Sequence, residues 1–473
     1  MSATAHELPQ SNPSQALARV SVTSGNLAKP QIDALTGIRS AGALLVVICH
    51  VQMIMALGAL PPKNPQDQVV PAFREWNAQG AADLTSNFFL HTIIHGAYAA
   101  VNLFFMLSGF VLAYTCLQEN GRFRVSTRGF WMSRFARIYP VYLFGLIFYL
   151  PLFFVTATMG GMSTGRWWAM IAATLGLAQA WWPEAANAWN PPAWTLSAEA
   201  FFYVVFPFLL TWVDRRTRPQ IWALFAICYA WAVVPAVLYV LINPDGLTTM
   251  TYIEEGTWWR VMKYNPLVRF PEFFSGVLMG KLFAYDAMQN ARAGRSSKGW
   301  LAIVALVAVF IGMSLTDYLP YIVLHNGLLM PLVAVAVYDL AMGGGPLGWF
   351  FSRRPLVALG NSTYCIYILH AAFIGYGMIA TWFALGGKAI IEHDEAVKAA
   401  TDPSAVAPVD FSKFSTEMVG TPWQFLIWLT IILIIASLAM NRWFEEPCRR
   451  YLRRKLTRAH VPIPPRAQAA DVP

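Results

Sequence analysis

Arg39 and His50 are the first residues whose types and spacing suggest chemistry; they sit eleven positions apart, with the apolar stretch from Ala41 to Cys49 between them. At ~100° per residue they share one face of a helix, separated by roughly 16 Å along its axis. An ionisable residue inside a membrane segment is costly and is a functional candidate by default. A guanidinium at one end and an imidazole at depth suit a long anionic donor whose head binds Arg39 and whose reactive end reaches His50. The alternative is an arginine that snorkels to the surface and a histidine that only packs. Two further arginines, Arg134 and Arg137, are three apart and share a helix face. They suit bidentate pairing with phosphates or simple anchoring at the membrane surface. The stretch from Asn190 to Glu199 enters an apolar run and holds Trp194, Thr195 and Ser197. Thr195 or Ser197 can cap a helix there, and an acid near its start suits the dipole. The functional reading places the Glu199 carboxylate near His50, orienting it or binding an acceptor hydroxyl. Ser108 stands beside Gly109; small residues let helices approach closely, and the hydroxyl can also meet a ligand. His370 is a second histidine deep in an apolar run, and the pair His91 and His95 has the i,i+4 spacing a metal uses. No further ligand set is evident in the sequence, so no metal is expected.

These residues need elements to hold them, and composition says which. Of 473 residues, 57% are hydrophobic and 12% charged, against roughly 25% charged in a soluble domain. Lipid must therefore cover much of the surface. A net charge of +9 suggests nucleic acid in a soluble protein. Here the basic residues cluster in short loops between apolar runs, so no nucleic-acid partner is expected. The five cysteines, Cys49, Cys116, Cys228, Cys365 and Cys448, are odd in number and scattered, which argues against a disulfide framework or a zinc site.

Apolar runs of about the ~20 residues a span requires lie near 38–58, 93–116, 138–158, 220–242, 267–285, 300–316, 320–341, 356–384 and 424–442, with two shorter ones at 168–182 and 200–213. The arginine-rich loops at 122–137, 215–218, 292–298 and 353–354 and the tail after Arg449 face the cytoplasm by the positive-inside rule. An even number of crossings must join Arg137 to Asp214, yet three apolar runs lie between. One of them therefore fails to span, and such a segment is tolerated only when buried in protein or lining a cavity. The expectation is an all-α integral membrane protein with about ten transmembrane helices in one bundle, both termini cytoplasmic, and one irregular or re-entrant segment between 160 and 213. Residues 1–30 read as a disordered cytoplasmic leader, 31–456 as the transmembrane domain and 457–473 as a disordered cytoplasmic tail. Buried His and Glu residues also mark proton relays, so a proton-coupled transporter is the competing function.

Taken in order, the motifs resemble the acyltransferase-3 family of integral membrane O-acyltransferases. They are Arg39-x10-His50, Phe104-Phe105-Met106-Leu107-Ser108-Gly109-Phe110, Arg134-x-x-Arg137, Trp194-Thr195-Leu196-Ser197-Ala198-Glu199, Gly360-x-Ser362-x-Tyr364 and Phe444-Glu445-Glu446-Pro447. The resemblance covers about residues 32–456 and implies a ten-span bundle with an essential histidine, His50, in the first span. It implies transfer of an acyl group, usually acetyl from acetyl-CoA, to a hydroxyl of a carbohydrate or glycolipid acceptor at a bacterial inner membrane. Acyl-CoA is then a co-substrate and no cofactor stays bound. His50 and Glu199 are the expected catalytic pair, Arg39, Arg134 and Arg137 the acyl-CoA site, and Ser108, Trp194, Ser197, Tyr364 and His370 the substrate pocket. Two departures stand out. The family's usual Asp-Gly-Leu-Arg-Gly start reads Thr36-Gly37-Ile38-Arg39-Ser40, and its acidic pair is reduced to Glu199 followed by Ala200. The second removes one carboxylate and counts against a two-acid mechanism.

Overall fold

The computed structural model describes residues 32–61, 69–118, 121–159, 163–250, 256–293, 299–343, 345–402 and 406–458. The expected leader and most of the expected tail lie outside them. The described chain is helical, and its only β-pairing is an isolated bridge between Leu117 and Phe123. The elements that matter for the site are α1 (Asp33–Ala59), α2 (Pro71–Leu84), α3 (Phe88–His95), α4 (Tyr98–Cys116), α5 (Thr127–Met159), α6 (Thr164–Leu175), α7 (Trp194–Asp214), α8 (Arg218–Ile242), α9 (Thr257–Tyr264), α10 (Pro266–Ala293) and α11 (Trp300–Met313). After them come α12 (Met330–Ala341), α13 (Arg354–Asn361), α14 (Thr363–Trp382) and α15 (Pro422–Met440). Helix starts follow local chemistry. α15 opens with Pro422 in its first turn and a reciprocal cap: Gln424 N donates to Thr421 Oγ1 at 3.3 Å, and Thr421 N donates to Gln424 Oε1 at 2.9 Å.

Nine helical stretches among the described residues are long and apolar enough to cross a membrane. α10 is a further helix of 28 residues, about 42 Å long, ample for a ~30 Å hydrocarbon core. It carries Arg269, Glu272 and Lys281, all buried in the protein, and its composition rather than its length separates it from the other nine. With α10 these make ten helices long enough to cross among the described residues, the number expected from charge and parity.

The short segment that fails to span is the 168–182 run, not 200–213. α6 has only 12 residues, and irregular chain follows it as far as α7. Buried side-chain hydrogen bonds tie that segment to its neighbours. Tyr142 Oη donates to Thr174 O at 2.6 Å, and Gln179 Nε2 donates to Ala193 O at 3.0 Å and to Tyr142 Oη at 3.1 Å. Trp189 Nε1 donates to Leu146 O at 3.0 Å and Asn190 Nδ2 to Ile368 O at 3.0 Å. α5 and α14 thus hold the irregular segment inside protein, where non-helical backbone at membrane depth is tolerated.

α4 and α10 make a close backbone contact. A Cβ on Gly109 would collide with the Phe273 carbonyl, and one on Gly276 with the Met106 carbonyl. The small residue beside Ser108 is therefore the contact that brings the two helices together. Gly276→Ala is expected to cost about 1–3 kcal/mol through overpacking. The thermal transition of the detergent-solubilised protein falls accordingly, whereas Gly165→Ala, whose Cβ would meet open space, leaves it in place.

Candidate active site

α1, α4, α5, α7 and α14 enclose a cavity whose polar lining includes Arg39, Ser108, Arg134, Arg137, Glu199, Tyr203 and Tyr364. Four separate helices thus bring together the three arginines, the serine and the acid singled out in the sequence. Arg134 and Arg137 lie on α5 six and three residues before Pro140, and Tyr364 Oη donates to Ile138 O at 2.7 Å, fixing that stretch against α14. Tyr203 Oη donates to Glu199 Oε2 at 2.7 Å, one turn along the same helix. None of the three guanidiniums has a carboxylate within 4.0 Å among the described residues. Arg134 Nε is buried with no hydrogen-bond partner there. Three cations and one carboxylate leave two positive charges that an anionic ligand would compensate.

His50 lines a second cavity with Cys49, Gln52, His95, Tyr98, Trp194, Lys263, Tyr321 and His325. Its Nδ1 lies 2.8 Å from Val46 O. A carbonyl only accepts, so Nδ1 carries a proton, and in the neutral ring Nε2 keeps the lone pair. His370 is packed against it, with ring centroids 4.9 Å apart. His370 is fully buried, and its Nδ1 donates to Tyr367 O at 2.7 Å. Lys263 projects among Trp259, Tyr264 and Tyr321, with its ammonium 4.3, 5.4 and 5.5 Å from the ring centroids. Behind this wall Arg269 donates from Nη1 to His325 Nδ1 at 2.9 Å, His325 O at 2.8 Å and Asn326 Oδ1 at 2.8 Å, and from Nη2 to Asn102 Oδ1 at 2.8 Å. Arginine has no acceptor, so His325 accepts at Nδ1 and carries its proton on Nε2. Arg269 also pairs with Glu272 at 2.8 Å.

The two cavities adjoin: Val101 and Tyr367 line both. Arg39 and His50, on one helix face as expected, open into different compartments. Glu199 stands with the arginines, bonded to Tyr203, and not with His50, whose Nδ1 the backbone holds. Trp194 lines the His50 cavity and packs on Tyr264 at 5.1 Å. Ser197 lines neither cavity. Its Oγ donates to Leu177 O at 2.7 Å and accepts from Ala180 N at 3.2 Å, tying the irregular segment to α7. Neither Thr195 nor Ser197 caps α7; Thr195 Oγ1 donates back to Pro192 O at 3.0 Å. Lys263, Arg269, Glu272 and His325 are absent from the sequence-derived set. The signal for Arg269, Glu272 and His325 was present, because each interrupts an apolar run in the same way as Arg39 and His50 do.

Comparison with known proteins agrees with this architecture. The chain is 27% identical over 439 residues to the acyltransferase MdmB of Streptomyces mycarofaciens, covering 92% of this chain and 96% of that protein. It is 23% identical over 300 residues to the peptidoglycan O-acetyltransferase OatA of Listeria monocytogenes, covering 59% of this chain and 45% of that protein. No solved structure matches the chain. Residues 32–442 fit the family model described as an acyltransferase domain, so the chain belongs to the acyltransferase 3 family and is a membrane-embedded acyltransferase.

Proposed function

We propose that the chain moves an acyl group, acetyl in the first instance, from acyl-CoA to a hydroxyl of a carbohydrate or glycosylated acceptor. The supporting observation is the pair of adjoining cavities, one rich in unpaired guanidiniums and the other holding an imidazole with its Nε2 lone pair uncommitted to the backbone. Arg39, Arg134 and Arg137 bind the phosphates of the donor. The arginine-rich loops support a cytoplasmic mouth for this cavity, at an inner membrane with both termini inside. The pantetheine arm passes Val101 and Tyr367 and delivers the thioester to His50. The acceptor hydroxyl gives its proton to Nε2, and its oxygen attacks the thioester carbon. The tetrahedral adduct collapses with loss of the C–S bond, and the thiolate takes the proton from His50. The covalent variant uses the same atom: Nε2 attacks first and the thiolate leaves, then the acceptor oxygen attacks the acyl carbon, the C–N bond to Nε2 breaks, and the thiolate takes the hydroxyl proton. Trp194 offers a face on which a sugar stacks, and Ser108 borders the donor cavity. The acceptor class rests on the relative from Listeria, of which the chain spans 45%.

The test is label transfer from radiolabelled acetyl-CoA in membranes carrying the protein, without an ion gradient. Label in a glycan or glycolipid fraction is the expected result. No consumption of acetyl-CoA overturns the proposal and favours the proton-coupled transporter. Arg134→Gln removes a charge-assisted contact of about 1.5–3 kcal/mol, so the KM for acetyl-CoA rises roughly 10–100-fold while kcat changes little. An unchanged KM would remove Arg134 from the donor site.

A further inference from the structure

We propose that His91, His95 and Asp317 form a divalent transition-metal site at the edge of the His50 cavity. The two histidines are one turn apart on α3, with ring centroids 4.1 Å apart at an interplanar angle of 63°. Asp317 reaches them from the turn Ser314–Asp317 that follows α11. His91 Nε2 lies 3.6 Å from Asp317 Oδ2, and one ligand atom from each of the three residues can be chosen so that all lie within 4.8 Å of one another. Tetrahedral bonds of roughly 2.0–2.2 Å put neighbouring ligand atoms about 3.3–3.6 Å apart. The His91–Asp317 edge is at that length, and a bound metal would draw the remaining ligand atoms in by side-chain rotation.

The framework around the cluster is packed. Phe88 and Phe89 lie against Phe310 with ring centroids 6.4 and 5.5 Å apart, and a Cβ on Gly96 would collide with Met313. α3 and the end of α11 therefore hold the three ligands as a unit. Without a metal, the His91–Asp317 pair is a surface contact worth little. With a metal, two neutral imidazoles and one carboxylate make a three-ligand set. That donor set suits zinc, nickel or copper rather than calcium or magnesium. The side chains of His91 and Asp317 are 28% and 58% exposed, which leaves a fourth position to water or to an incoming oxygen. His95 also lines the cavity that holds His50, so the cation stands where that cavity borders α3. The proposal does not depend on the identity of donor or acceptor.

The experiment equilibrates the detergent-purified full-length protein with Zn²⁺, dialyses it and measures zinc per chain. The native protein is expected to retain one zinc. His91→Ala/Asp317→Ala should weaken binding roughly 100-fold or more, beyond the 10–100-fold that loss of an outer-shell partner costs. Asp317→His, which keeps three ligands, should retain the metal. A readout on the native chain covers the case of a misfolded variant: Zn²⁺ should protect His91 from diethyl pyrocarbonate, scored by peptide mass, while Mg²⁺ should not. Equal zinc in the native and doubly substituted proteins, or full modification of His91 at saturating Zn²⁺, overturns the site.

Discussion

His50→Ala is expected to lower acetyl-CoA turnover by about 10²–10⁴-fold, the range for loss of a positioned general base. The structure says which atom is lost. Nδ1 is held by Val46 O at 2.8 Å, so the ring presents Nε2 as its basic nitrogen. His50→Asn refines the test, because an amide can keep a bond to Val46 O yet has no nitrogen lone pair of comparable basicity. Both substitutions should be equally inactive if the imidazole does proton or acyl transfer. If His50 only anchors α1, asparagine should recover much of the activity. The KM for acetyl-CoA should stay near the native value in both, since the arginines of the neighbouring cavity are untouched. Native turnover in His50→Ala, at matched expression and matched thermal transition, would remove His50 from the chemistry.

Much of the bundle was legible from charge and hydrophobicity alone. Spans announce themselves by length, and the loops around Arg122–Arg137 and Arg215–Arg218 fixed the parity that required one short segment not to cross. Which segment failed was decided by contacts no local pattern shows, such as Asn190 reaching Ile368 O and Gln179 reaching Ala193 O. The site was legible where one helix carries the pattern, as with Arg39 and His50 on α1 or Arg134 and Arg137 on α5. Pairings across helices were not. Glu199 faces the arginines because α7 packs beside α5, and Ser197, in the middle of the most polar motif, ties down a loop rather than facing a cavity. Asp317 meets His91 across more than two hundred residues, a coincidence that spacing cannot reveal. Lys263 lies in the last turn of the short helix α9 and acquires its place in the His50 cavity only when α9 folds against α7 and α10.

Arg269→Met should be the most destabilising single change in the bundle core, by about 3–5 kcal/mol. Arg269 is fully buried and donates to His325, Asn326 and Asn102 while pairing with Glu272, which is 1% exposed. Methionine fills much of the volume but leaves the Glu272 charge unpaired and three side-chain acceptors without their donor. Removing both charges in Arg269→Met/Glu272→Leu should recover part of the loss, since a buried pair is often replaceable by apolar packing where half a pair is not. The pair and its partners are coupled, so the double variant should be more stable than the single effects predict by addition. Activity should fall in both, because His325 lines the His50 cavity and loses the donor that holds its ring and sets its tautomer. The thermal transition in detergent and the residual acetyl transfer of the folded fraction separate the two effects. A double variant as active as the native protein would make the network purely structural, and a single variant as stable as the native protein would show that Glu272 is not held by Arg269.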